Sequence, residues 1–231
     1  MSRVFQSNRK FLVGIAALAA LLTVGFLPAA DAGAQAAPLA WDGPVLSEGA
    51  SGPDVAAMQQ QLINRGFWIP GVTGRFDSQT RHAVVAFQKY FRQPRTGRLD
   101  ATSRFVLAAV NDRVTPVKGG AKSLEIDLAR QILIAQSGGV VTWIFDTSTG
   151  KASTPTPRGN FRIYRTINGK RISKLGELWR PRYFTGGYAV HGSPSVPNYP
   201  ASHGCVRQTN VQMNFIWDAN LAPVGTPVRI F

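Results

Sequence analysis

The spacing of apolar residues changes partway along the chain, and that change constrains the fold more than any single motif. Val55, Met58 and Leu62, then Val84, Phe87 and Phe91, then Phe105, Val106 and Ala109 recur at the period of helices with one buried face. Beyond Leu124 the period shortens to that of strands: Leu124 to Leu128 alternates, Gln131 to Ala135 is a short apolar run, and Gly138-Gly139 offers a turn before Val140 to Phe145. Phe161 to Tyr164 alternates again, Tyr188-Ala189-Val190 leads into His191, and Pro227 to Phe231 reads as a last strand. One short helix is expected from Asn210 to about Asn220. The fold class is therefore α+β and multidomain: a small three-helix unit, then a mostly β domain of a size that suits a β-sandwich or a partly closed barrel.

Helix boundaries follow from local chemistry. Ser51 with Asp54 resembles a capping box and Gly66 a stop, Asp77 or Ser78 opens the second helix, and Asp100 opens the third. Pro70-Gly71, Gly74 and Thr96-Gly97 supply the turns between them. The stretch 111–122 is rich in turn formers and poor in hydrophobic anchors, so it reads as a linker between units at 48–110 and 123–231.

The first 32 residues stand outside this fold. Arg3, Arg9 and Lys10 precede an uncharged apolar run from Phe11 to Leu27, and small residues follow that place a cut after Ala32 or Ala34, the pattern of a signal peptide. The run also reaches the lower limit of a spanning helix, so an uncleaved membrane anchor is the alternative. Residues 33–47, rich in Ala and Pro, read as a flexible leader.

The formal net charge of +14 favours a polyanionic partner: nucleic acid, anionic lipid or an acidic wall polymer. Export disfavours nucleic acid, and the membrane enters only through the export signal if it is uncleaved. A lone cysteine, Cys205, cannot form an internal disulfide.

Cys205 and two of the three histidines fall in the segment His191 to Arg207. A free cysteine by itself reads as a small buried hydrophobe, yet Cys205 is flanked by His203, Gly204 and Arg207. A thiol needs a histidine or another positive centre to become a nucleophile near neutral pH, and His191 and His203 both qualify. Gly204 allows the tight turn that aims backbone N–H groups at one point, as an oxyanion hole requires. Arg207, two residues on, projects from the same face of an extended segment and suits a carboxylate. A zinc site of His191, His203 and Cys205 is the competing chemistry, but no second cysteine or nearby carboxylate completes it, so no metal and no cofactor is expected. Tyr183, Phe184 and Tyr188 read either as core or as walls of a cleft. His82, beside Arg81, is assigned to a solvated helix face.

Two resemblances follow. Gly49, Gly52, Val55, Gln60-Gln61-Leu62, Gly66, Gly71, Gly74-Arg75-Phe76, Thr80, Ala83-Val84, Phe87-Gln88, Gly97 and Asp100 together resemble a peptidoglycan-binding domain of the three-helix type, over about residues 44–110. His191-Gly192 with Ser202-His203-Gly204-Cys205-Val206-Arg207 resembles the catalytic signature of the L,D-transpeptidases of bacterial cell walls. Leu124 to Leu128, Ser148-Thr149-Gly150 and Thr154 to Phe161 resemble the opening strands of that domain, and the likeness covers about residues 122–231.

The resemblance implies Cys205 as nucleophile toward the third residue of a peptidoglycan tetrapeptide stem, with release of D-alanine and a thioester resolved by an amine of a second stem. It implies His191 as proton donor and acceptor, oriented by a backbone carbonyl such as that of Gly192, and His203 and Gly204 with Cys205 as oxyanion donors. Arg207, Ser202, Gly192 and Tyr188 are the candidate substrate contacts. Peptidoglycan is the partner so implied. An L,D-carboxypeptidase that resolves the thioester with water, and a non-catalytic wall-binding protein, are the alternatives.

Overall fold

A computed structural model describes residues 42–110, 114–115 and 122–231. The segment expected to be a signal peptide, most of the expected leader and most of the expected linker lie outside the described residues.

Among the described residues three helices come first: α1 (Pro53–Asn64), α2 (Ser78–Tyr90) and α3 (Ala101–Ala109). Asp77 caps α2 by accepting from the Thr80 N–H, and Asp100 caps α3 by accepting from Ser103. The capping box expected at Ser51 and Asp54 does not form. Instead α1 starts from Gly52, at φ 120°, with Pro53 in its first turn and no side-chain cap. Proline suits that position because its fixed φ is already helical and no N–H is needed there. Val55, Met58, Leu62, Val84, Phe87 and Leu107 are buried, as is Leu99 from the turn before α3, whereas Phe105 turns outward at 61% exposure.

The second half holds ten strands and one helix. The first sheet runs β3 (Val140–Asp146), β2 (Ile132–Ser137), β1 (Ser123–Asp127), β10 (Pro227–Ile230), β4 (Gly159–Arg162), with only β1 and β10 parallel. The second runs β5 (Arg165–Thr166), β7 (Gly176–Thr185), β8 (Tyr188–Ser193), β9 (Val206–Thr209), with β6 (Lys170–Ser173) also paired to β7 and with β8 and β9 parallel. α4 (Asn210–Asp218) begins in a capping box made by Thr209 and Gln212. Leu124, Ile126 and Phe145 from the first sheet share one core with Phe184, Val190 and Val206 from the second and with Met213 and Ile216 of α4. The domain is thus two mixed sheets around a common core and not a closed barrel.

Helices and sheets meet directly. Ile132, Ile134, Val141 and Ile144 belong to the same core as Val55, Met58, Leu62 and Phe87. β3 is the outer strand of its sheet, and an open edge of this kind invites association. Here the turn after α1 covers it, with Ile144 N–H donating to the Gly66 carbonyl at 2.7 Å and Trp68 N–H to the Ile144 carbonyl at 3.1 Å. Trp68 then packs on Phe145 and Phe215 at centroid distances of 5.8 and 5.1 Å.

His82 differs from its sequence reading. It is only 7% exposed, because α2 lies between the other helices and the first sheet and is buried on nearly every side from Thr80 to Lys89. Its Nδ1 sits 2.6 Å from Asp146 Oδ2, while Lys89 Nζ holds the other oxygen of the same carboxylate. Charges so placed are tolerable only when paired and hydrogen-bonded.

Candidate active site

The segment His191 to Arg207 folds as a strand, a loop and a parallel strand. In β8 the alternation puts Ala189, His191 and Ser193 on one face and Tyr188, Val190 and Gly192 on the other. The β8–β9 register sets His191 opposite Arg207, and the loop between them returns Cys205 to the mouth of β9. His191, Ser193, Ser202, His203, Cys205 and Arg207 then line a cavity of about 820 Å³. Its far wall comes from β5, β6, β7 and their turns, and includes Arg165, Arg171, Lys174, Leu175, Glu177 and Tyr183.

His191 is 5% exposed. Its Nδ1 lies 2.8 Å from the Gly192 carbonyl, which can only accept, so Nδ1 carries the proton and Nε2 is left as the acceptor. Burial pulls the imidazole pKa down to about 4, with Arg207 adding to the fall and the Gly192 bond opposing it. Burial also pushes the Cys205 thiol up, against the smaller opposite pull of the Ala189 backbone and Arg207. Neutral thiol and neutral imidazole are therefore the resting forms near pH 7, where the sequence reading had a histidine-stabilised thiolate.

The loop is held from beneath. Ala201 and Ser202 both donate their N–H groups to the Thr149 carbonyl at 2.9 Å. The buried Ser202 hydroxyl donates to the Cys205 carbonyl at 2.5 Å and accepts from Gly204 N–H at 3.1 Å. Gly204 sits at φ 107°, and a Cβ there would come within 2.2 Å of Tyr188 Cε1. Both conditions demand glycine. The Gly204 amide is thus already engaged, so this residue supplies a backbone bend, and the expected oxyanion donor is occupied in this arrangement.

The remaining candidates divide. His203 is exposed at the cavity rim and Arg207 half-buried within it, while Ser202 acts on the loop. Tyr188 packs under Gly204 and does not line the cavity; Tyr183 does, and Phe184 is core. Gly192 contributes its carbonyl and close packing, since a Cβ would meet Asn210 Oδ1 at 2.6 Å. Sequence reasoning missed Arg165, Arg171 and Lys174, although the basic cluster around Lys170 to Lys174 was visible. Arg165 stacks over Tyr183 at 5.6 Å, and Glu177 pairs with Lys170 at 2.9 Å. The charged wall is hence mainly cationic.

Fold and site together define a two-sheet domain with a cysteine and a histidine in one cavity, packed against a three-helix unit. Residues 121–230 match the family model of the L,D-transpeptidase catalytic domain, and residues 51–103 match that of a peptidoglycan binding domain. An L,D-transpeptidase from Xylanimonas cellulosilytica is 41% identical, with 82% of this chain and 98% of that one covered and a TM-score of 0.77. The chain belongs to the L,D-transpeptidase family. An L,D-transpeptidase from Stackebrandtia nassauensis is similar at 21% identity over 80% of this chain and 94% of that one (TM-score 0.49). Another, from Mycobacterium smegmatis, is 20% identical over 52% of this chain and 60% of that one (TM-score 0.43). No curated protein matches the sequence.

Proposed function

We propose that the protein is an exported L,D-transpeptidase that cross-links peptidoglycan outside the cytoplasmic membrane through a thioester on Cys205. The observation that carries this reading is the fixed tautomer of His191, whose free Nε2 is the proton acceptor in the cavity that Cys205 shares.

As Cys205 Sγ attacks the carbonyl of the third stem residue, typically a diamino acid, its proton passes to His191 Nε2. The bond to the terminal D-alanine breaks, His191 returns the proton to the leaving amine, and a thioester remains. An amine of a second stem attacks the thioester, His191 takes its excess proton, and Cys205 leaves and is reprotonated. Because both partners rest neutral, proton transfer from Cys205 to His191 belongs to the reaction and not to the resting site. The oxyanion donors are then the backbone N–H groups of Cys205 and His203, Gly204 being engaged with Ser202. Arg207, with the basic far wall, suits the free carboxylates of the stem. The helical unit holds the polymer, and residues 1–32 direct export.

The test is incubation of the protein with tetrapeptide-bearing wall fragments. D-Alanine release together with linked dimers is expected, and Cys205→Ala should stop both. Release without dimers would replace transpeptidation by L,D-carboxypeptidase action, and unaltered activity in Cys205→Ala would remove the mechanism. A carbapenem should add covalently to Cys205, as read by intact mass.

A further inference from the structure

A continuous run of hydrogen bonds joins α2 to the loop that carries Cys205. The Lys89 side chain is fully buried, and its Nζ bonds to the Asp146 carboxylate, to the Gln131 carbonyl at 3.1 Å and to the Thr147 carbonyl at 2.8 Å. Those three acceptors match the three protons of an ammonium. The Gln131 side chain in turn clamps Thr149, donating to its hydroxyl at 2.6 Å and accepting its N–H at 2.8 Å. Gln131 is itself at φ 61°, a conformation that a non-glycine residue keeps only where its surroundings impose it. Thr149 then holds Ala201 and Ser202 through its carbonyl, and Ser202 holds Gly204 and Cys205.

A second branch reaches the far side of the thiol. Thr147 Oγ1 donates to the Arg207 carbonyl at 2.7 Å, and Ser148 and Arg207 exchange backbone hydrogen bonds at 3.3 and 2.9 Å. Both flanks of Cys205 thus hang from the segment 147–149. The helical unit touches the same region twice more, through reciprocal bonds between Arg95 and Asn198 at 2.8 Å and through Thr209 Oγ1 to Gln79 Oε1 at 3.0 Å.

For stability alone, a buried ion pair has no general advantage over well-packed apolar residues of the same volume. What an apolar pair lacks is the means to fix two backbone carbonyls at hydrogen-bonding distance. We propose that Lys89 is a positioning residue for the Cys205 reaction: an ammonium supplied by the polymer-binding unit sets the strand end from which the catalytic loop is suspended. The helical unit is on this account part of the catalytic centre's scaffold as well as a device for holding polymer, and the proposal rests on the transpeptidase reading given above.

The experiment compares the full chain with Lys89→Met and with Lys89→Met/Asp146→Asn, which leaves no unpaired buried carboxylate. Alkylation of Cys205 by iodoacetamide, followed by intact mass from about pH 5 to about pH 10, reads the loop without any stem peptide. D-Alanine release is measured alongside, with unfolding temperature as the control for stability. Lys89→Met should lower the unfolding temperature, and the double variant should recover most of it. Both should still show a displaced alkylation profile, with kcat down by about tenfold to a hundredfold and KM within about twofold. A double variant that is folded and alkylates and turns over as the wild type does would overturn the proposal, since Lys89 would then only neutralise Asp146. If Lys89→Met does not fold, Gln131→Leu breaks the same chain one step later without removing a charge, and wild-type Cys205 reactivity in that variant overturns the proposal equally. A wild-type chain that is alkylated but releases no D-alanine sinks the transpeptidase reading and leaves the alkylation comparison in force.

Discussion

Burial pulls the His191 pKa down to about 4 and raises that of Cys205, so the neutral pair is the resting state. The acid limb of kcat/KM should accordingly fall near pH 4 and not near the ordinary histidine value, which a pH–rate profile checks. Stability follows the same group. The folded state holds His191 neutral where the unfolded state would protonate it, so the unfolded state binds more protons below about pH 6.5 and stability rises with pH there. The stabilisation is complete above about pH 6.5 and is lost as pH falls through about 4, amounting to about 3 kcal/mol. His191→Asn should flatten that dependence in thermal unfolding followed against pH. An equally steep fall in the variant would assign it to other groups. Cys205, His191 and Gly204 were legible in the sequence as candidates because they lie in one short segment. The engagement of the Gly204 amide was not, since it depends on where the Ser202 hydroxyl points.

Among the elements, β6 and β7 escaped the sequence pattern although they form the cationic wall of the cavity. β7 contains Pro181, a left-handed Arg180 at φ 48° and two register shifts against β8, each of which breaks the alternation that marks a strand. β6 is exposed at all four positions and has no apolar face to betray it. Arg171 and Lys174 bring charge from this hairpin to the cavity. Replacing either with Gln should raise KM for stems with free carboxylates by about fivefold at low salt, with kcat unchanged, and added salt should shrink the difference. Kinetics at two ionic strengths decide it; an equal effect on amidated stems would show that charge is not what the wall reads. α2 shows the reverse case, in which the element was found from Asp77 and its apolar stripe but the role of its polar residues was not. His82 and Lys89 resemble solvent-facing residues by type alone, and only the sheet packed against them makes them interior.

Across the molecule, the two family regions share a core and an edge strand, so they depend on each other in a way that a linker at 111–122 does not suggest. A chain reduced to residues 122–231 would expose the edge of β3 and the faces of Ile132, Ile134 and Ile144. It should unfold at a lower temperature than the full chain and self-associate, as measured by circular dichroism and size-exclusion chromatography. A monomeric fragment with the unfolding temperature of the full chain would show that the shared core adds little. Hydrophobic period, capping residues and the clustered Cys-His motif are properties of neighbours in the chain, and they were enough to establish the α+β class and the order of the two units and to single out Cys205 as the candidate nucleophile. The burial of Lys89, His82 and Asp146 and the hanging of the Cys205 loop on Thr147 to Thr149 join residues 51 to 64 positions apart. Such pairings arise when a helix turns one face to a sheet, and the burial that fixes that face is a sum over contacts that no local pattern contains.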